Sequence, residues 1–272
     1  MFTESPEKNA FLSKLAASEF ALFRSHLAPL ELRIGDSLHC CGGAIENIIF
    51  PNSGLVTMTV PLREVAGAGV ALVGRESIVG GFAAVSCAPA SCDAEVQVPG
   101  TALRMPVAAF RHALEQSSAV RSLAARFDSA MLAHAQQTGL CNATHPVESR
   151  ICRCLLEVQD RCDGNKISLT QATLGQLLSV RRTTVTLVAG RLEAAGVLHC
   201  RRGYMQIMDR EELERHACDC YAHLKCYMAK AVCSGAGHFH HRTRFGDDTR
   251  GTPGEERSQI KYWPPFTSNR VP

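Results

Sequence analysis

Residues 170–191 read TQATLGQLLSVRRTTVTLVAGR. Leu174, Leu178, Val180, Val185 and Val188 supply apolar positions at helical spacing, Gly175 is small, and Ser179 stands at the bend between two short helical patterns. Two helices crossing steeply need this arrangement: a shared apolar core, a small residue where the backbones approach, and a compact residue at the turn. The stretch therefore predicts a helix-turn-helix, with serine where glycine is usual.

The polar face of the second helix, expected over about 181–194, gives the motif its chemistry. Arg181, Arg182, Thr183, Thr184 and Thr186 crowd its start, with Thr170 and Gln171 opening the first helix. A helix N-terminus offers free N–H groups and a favourable dipole to phosphate. Arginine pairs bidentately with guanine, and threonine offers a methyl to thymine or a hydroxyl to phosphate. A merely solvated face is the plain alternative. The residues just downstream favour the chemical reading: Gly196 ends the helix, and two β-like runs over 197–208 flank Arg201-Arg202-Gly203. That is a hairpin with a basic tip, a wing able to lie along the phosphate backbone.

Charge is concentrated in the same place. Residues 1–145 carry ten basic and twelve acidic side chains, residues 146–210 ten and six, and residues 211–272 nine and eight. The whole-chain excess of +3 is thus a local +4 around the motif, the footprint expected of a nucleic-acid-binding unit.

Upstream the texture differs. Residues 11–32 carry apolar positions at helical spacing, broken at Pro29. Between 34 and 106 the chain becomes β-rich and glycine-punctuated, predicting an antiparallel barrel or sandwich. The clearest hairpin is expected over 45–60, around Pro51-Asn52-Ser53-Gly54. Residues 107–140 lack proline and have a single glycine, Gly139. There Val120, Leu123, Ala124, Phe127, Ala130, Met131 and His134 draw an apolar stripe, either a helix lying on its own domain or a seam against an identical helix. Val147, Ile151, Cys154, Leu155 and Val158 give another amphipathic helix, ending by Gly164.

These pieces, in this order, with TQATLGQLLSVRRTTVTLVAGRLEAAGVLHCRRGYMQIMDREELE and the phrases IIFPNSGLVTM and LVGRESIVGG, resemble the Crp/Fnr family of bacterial transcription regulators over roughly residues 10–225. The resemblance implies an α+β chain. Its parts would be a cyclic-nucleotide-binding-like jelly roll over 10–110, a dimerisation helix over 111–142, a winged helix-turn-helix over 145–212 and a C-terminal helix over 213–233. It also implies a homodimer on a palindromic operator in double-stranded DNA and contact with RNA polymerase, and it favours the dimer seam for the stripe. Separately, the lack of a membrane-span pattern, a secretory pattern and a catalytic motif leads to the expectation of a cytoplasmic protein without enzymatic activity.

Carried over by residue, the resemblance is uneven. Arg182 matches the family's first recognition arginine, but Thr183 replaces its glutamate and Leu187 its later arginine, so the usual operator is not expected. Nucleotide-binding members carry a glycine-glutamate pair and, about ten residues on, an arginine for the cyclic phosphate. Here the matching effector pocket is Gly80, Gly81, Phe82, Ser91 and Cys92, and no arginine occurs between Arg75 and Arg104. A phosphate desolvated without a cation is costly, which argues against cAMP or cGMP.

Apolar residues make up 46% and charged residues 20% of the chain, which excludes wholesale disorder. No run approaches the ~18 apolar residues of a membrane span, and the opening lacks a secretory pattern. The segment 234–272, rich in Gly, His, Arg and Pro, is expected to be disordered, His238, His240 and His241 included. The thirteen cysteines scatter and read as reduced thiols. Cys218, Cys220, Cys226 and Cys233 are the densest group, but on one helix residues two apart face differently, so no metal or cofactor is expected. The oxygen-sensing branch of the family clusters cysteines near its N-terminus, and none precedes Cys40 here. Cys40, Cys41, Cys87 and Cys92 carry no mark of low-pKa thiolates. No phosphate loop, zinc-protease helix or nucleophile elbow occurs. The competing reading is a small-molecule or redox/metal sensor module whose output is protein contact.

Overall fold

The glycine-punctuated region folds into two antiparallel sheets. The computed structural model describes residues 6–61, 68–162 and 164–233; the tail expected to be disordered lies outside them. A helix α1 (Ala17–Arg24) leads into β1 (Ala28–Leu32), β2 (Ser37–His39), β3 (Asn47–Pro51), β4 (Leu55–Val60) and β5 (Ala68–Val73). A short α2 (Gly81–Ser86), β6 (Asp93–Val98) and β7 (Gly100–Pro106) complete the roll. Strands run β1-β7-β3 in one sheet and β2-β6-β4-β5 in the other. Pro29, read as a break, sits in the edge strand β1 opposite Leu103; proline is tolerated at an edge because it need not donate to the ladder.

The hairpin expected over 45–60 does not form. β3 pairs with β7, whereas β4 pairs with β5 and β6, so residues 51–54 carry the chain from one sheet to the other. Gly54 has φ +85°, and a Cβ there would stand 2.7 Å from the Val98 carbonyl oxygen. Two corners interlock at that point, and only glycine permits the approach.

Five phenylalanines close the roll against the helices that come after it. Phe11, Phe23, Phe50, Phe110 and Phe127 are all essentially buried, and Phe11 meets Phe127 edge-on at 5.2 Å. Burial of each contributes on the order of 2 kcal/mol. The helix expected over 111–142 is two: α3 (Val107–Gln116) and α4 (Ser118–Thr144). They part at Ser117, whose extended backbone ends the first and whose hydroxyl accepts from Val120 N at 3.3 Å to cap the second. The apolar stripe of α4 packs inside this same chain: Val120, Leu123, Ala124, Phe127, Ala130 and His134 are each 3% exposed or less. The seam expected on that face is therefore occupied intramolecularly.

Helix α5 (Val147–Arg161) is buried on all sides from Arg150 to Val158 rather than on one stripe. Three of the basic residues counted in the local excess point inward from it. Arg153 bonds Glu157 at 2.6 Å, Arg161 bonds Glu76 of the roll at 2.7 Å, and Arg150 donates to the Leu178 carbonyl at 2.6 Å. Glu157 also meets His134 of α4 at 3.1 Å. Burial alone would raise the Glu157 carboxyl, but His134, Arg153 and Arg161 together hold it down to about 2.

Beyond α5 come β8 (Lys166–Ile167), α6 (Gln171–Leu178), α7 (Arg182–Ala194), β9 (Leu198–Arg201) and β10 (Tyr204–Ile207), with β8-β10-β9 forming a third sheet. The helix expected over 213–233 is also two, α8 (Arg210–His216) and α9 (Cys220–Cys233). No described helix is long and apolar enough to cross a membrane.

Candidate nucleic-acid interface

Helices α6 and α7 meet as their composition requires. Leu174, Leu178, Val185 and Val188 are buried in a shared core, and a Cβ on Gly175 would stand 2.9 Å from the Val180 carbonyl oxygen. Ser179 takes the left-handed conformation, φ +52° and ψ +44°, to make the turn. A non-glycine residue there costs on the order of 1 kcal/mol, which the apolar core offsets.

The residues singled out in the sequence divide by what they touch. Arg181, Arg182 and Thr183 are exposed at the start of α7, and the N-cap residue Arg181 supplies no side-chain cap to the free amides. Arg181 and Arg182 form no ion pair among the described residues. Thr184 is half-buried and its amide closes the first turn onto the Arg181 carbonyl at 2.9 Å. Thr170 is committed to structure: its hydroxyl oxygen accepts from Thr173 N at 3.1 Å, capping α6. Thr186 donates to Gln171 Oε1 at 2.7 Å, tying α7 to the start of α6. Gln171 in turn hydrogen-bonds Cys200 on β9.

The wing comes next. Arg201 pairs with Tyr204 across a two-residue turn of Arg202 and Gly203, with Gly203 at φ +88°. Arg201 and Arg202 are exposed. Glu193 near the end of α7 accepts from Cys200 N at 3.2 Å and lies 3.0 Å from His199 Nδ1, so the hairpin is fastened to the helix. Lys166 stacks over the Tyr204 ring at 4.0 Å and adds a cation beside it. Leu187, noted in the sequence only as a departure, is 58% exposed on α7.

The effector-pocket residues come together elsewhere, in the roll. Gly80, Gly81, Ser91 and Cys92 line a cavity of about 60 Å³ with His39, Asp128 and apolar neighbours; the Phe82 side chain falls outside the described residues. A Cβ on Gly81 would lie 2.7 Å from Ile78 Cδ1 and 3.5 Å from an Asp128 oxygen. A glutamate there would therefore collide with an isoleucine beside a second carboxylate. Burial pushes the Asp128 carboxyl up to about 6. A larger cavity, about 360 Å³, lies among Glu76, His134, Glu157, Arg161, Tyr221 and Lys225. Sequence reasoning missed it, because its walls come from four separated segments.

The cysteines also regroup. Cys226 is exposed, and the Cys233 side chain lies outside the described residues. Cys218 and Cys220 instead meet Cys141 and His145 at the end of α4. Burial pushes Cys152 and Cys154 up to about 12, so both remain thiols.

Comparison with known proteins agrees with this architecture. Residues 149–216 match the Crp-like helix-turn-helix domain family. A Crp/Fnr-family transcriptional regulator from Eubacterium rectale has the same fold, with 16% identity and a TM-score of 0.58 over 77% of this chain and 98% of its own. FixK2 from Bradyrhizobium japonicum is 14% identical, with a TM-score of 0.60 over 71% of this chain and 98% of its own. A Crp/Fnr-family regulator from Thermus thermophilus is 20% identical, with a TM-score of 0.56 over 70% of this chain and 98% of its own. No curated protein matches the chain. The chain thus carries a Crp-like helix-turn-helix within the Crp/Fnr regulator fold.

Proposed function

We propose that this chain is a DNA-binding transcription regulator acting as a homodimer, with α7 in the major groove and the β9–β10 tip on the phosphate backbone. The observation that carries the reading is the pair of exposed basic elements: Arg181, Arg182 and Thr183 at the open start of α7, and Arg201 and Arg202 at the tip of a hairpin fastened to that helix. Arg182 would read a base edge, while the tip arginines would contact phosphate. Leu187 and the threonine methyls favour thymine at neighbouring positions.

The dimer reading moves to the other face of α4. Ser122, Ala125, Ser129, Leu132, Gln136, Gly139 and Ala143 are all exposed and recur three and four apart. This is heptad spacing with small side chains that let two backbones approach closely. Leu132 is 59% and Leu140 56% exposed, large apolar surface that a second copy would cover. A two-fold pair would set two recognition helices about 34 Å apart on a palindrome. Contact with RNA polymerase rests on the family resemblance.

The roll serves as scaffold in this reading, not as a cyclic-nucleotide receptor. Its cavity is about 60 Å³, against roughly 300 Å³ for a small-molecule site. To an incoming phosphate it presents Asp128 and a His39 whose burial disfavours the charged form, with no arginine or lysine among the described residues of its lining. Genome-wide footprinting of the wild type beside an Arg181→Ala/Arg182→Ala variant tests the function. Palindromic footprints that vanish in the variant are expected; their persistence would overturn it. Sedimentation of Leu132→Asp, expected to shift a dimer to monomer, tests the seam.

A further inference from the structure

Four metal-binding side chains that are far apart in sequence meet at one point. Cys141 and His145 lie one turn apart at the end of α4, Cys218 lies in the link after α8, and Cys220 begins α9. Their ligand atoms all fall within 4.8 Å of one another. Cys141 Sγ and Cys218 Sγ are 3.5 Å apart, and Cys220 Sγ is 3.4 Å from His145 Nδ1. Tetrahedral zinc with a Zn–S bond of about 2.3 Å sets neighbouring sulfurs about 3.8 Å apart, so these spacings already approach the edges of one coordination tetrahedron. A two-iron cluster spreads its ligands over two metals and would not fit so compact a set. Because Cys218 lies outside any helix, the spacing that argued against Cys218 and Cys220 acting together does not apply.

The surroundings suit a thiolate-rich ion. Gln137 Nε2 donates to Cys220 Sγ at 2.9 Å, as a residue supporting a metal-bound sulfur would. The guanidinium of Arg153, 2% exposed, acts on Cys141, and that of Arg150, 8% exposed, acts on both Cys141 and Cys218. The Nε atoms of both arginines are buried without a hydrogen-bond partner. Three thiolates, one neutral imidazole and Zn²⁺ carry a net charge of −1. The guanidinium of Arg150, which donates to a carbonyl rather than a carboxylate, would balance it, Arg153 being already paired with Glu157.

We propose that Cys141, His145, Cys218 and Cys220 form a tetrahedral Zn²⁺ site that clamps the end of α4 to the α8–α9 junction. Binding is coordination only: three thiols each release a proton as Zn²⁺ enters, and nothing is oxidised. The clamp would join the helix that carries the dimer seam to the end of the winged unit, so zinc occupancy would bear on how the two hold together.

The test uses the full chain with His238, His240 and His241 changed to alanine, so that the tail cannot contribute metal. Purified under reducing conditions, it is expected to hold about one zinc per chain. Cys141→Ser and Cys218→Ser should each lose most of it, while Cys226→Ser, outside the cluster, keeps it. Cobalt exchange should give the thiolate charge-transfer and tetrahedral ligand-field bands of a three-sulfur site. His145→Cys should keep the metal and intensify the charge-transfer band, which separates ligand loss from failure to fold. A folded chain with no zinc or cobalt uptake, metal content indifferent to the Cys141 and Cys218 changes, or a Cys141–Cys218 disulfide in the reduced preparation would each overturn the proposal.

Discussion

Helices α5 and α7 draw arginines from the same basic stretch and use them in opposite ways. On α5, Arg150, Arg153 and Arg161 are at most 8% exposed and answer the Leu178 carbonyl, the buried Glu157 and the half-buried Glu76. On α7 and its hairpin, Arg181, Arg182, Arg201 and Arg202 stand in water. A net charge of +4 therefore overstates the cationic surface, and position decides the role: an inward arginine holds elements together, and an outward one remains available to a polyanion.

The largest effect should come from breaking the inward set. Arg153→Ala leaves Glu157 buried with part of its compensation gone and should lower stability by about 3–5 kcal/mol, read by thermal or urea unfolding. The same network sets a pH dependence. Because the folded Glu157 carboxyl titrates near 2, below its ordinary value of 4.5, its stabilisation is complete above about pH 4.5 and lost as pH falls toward 2. Glu157→Gln should flatten that acid limb of the stability curve.

Next in size is the outward set. Arg182→Ala should cost about 1–3 kcal/mol of specific duplex affinity while leaving the unfolding midpoint nearly unchanged. A variant that instead unfolded would erase the contrast with Arg153.

Asp128 sharpens the comparison from the acidic side, since it is a largely buried charge raised to about 6 by burial alone. Its protonated form favours folding below pH 3.8, and that contribution is lost as pH rises through 6. Asp128→Asn should therefore stabilise the protein at neutral pH by about 1 kcal/mol after allowance for solvent screening. The smallest change is Arg202→Ala, expected to weaken binding to all duplexes alike and reduce the salt slope by about one.

The winged unit was legible because its signals are local. Gly175, Gly196, Gly203 and the spacing of Leu174, Leu178, Val185 and Val188 each specify backbone or packing within a few residues. The corner at Gly54 was not, because two β-rich runs around a turn look alike whether they pair or part into separate sheets. Nor was the buried side of α4: its apolar stripe has the same period whether it meets its own domain or a partner. Of the interface residues, Arg181 and Arg182 could be named from sequence, but the capping role of Thr170 and the Gln171–Thr186 bond needed geometry. The gathering of Cys141 and His145 with Cys218 and Cys220 is purely tertiary, and sequence proximity drew attention to Cys226 and Cys233 instead.

The most direct test is a duplex titration by fluorescence anisotropy across a range of salt, on a footprinted site and on scrambled DNA. If α7 reads the groove while the hairpin tip holds phosphate, the logarithm of affinity falls linearly with the logarithm of salt for both duplexes. The Arg181→Ala/Arg182→Ala variant then loses the preference for the site but keeps most of its scrambled-DNA binding. Affinity indifferent to salt, or a site preference that survives in the variant, would contradict the account.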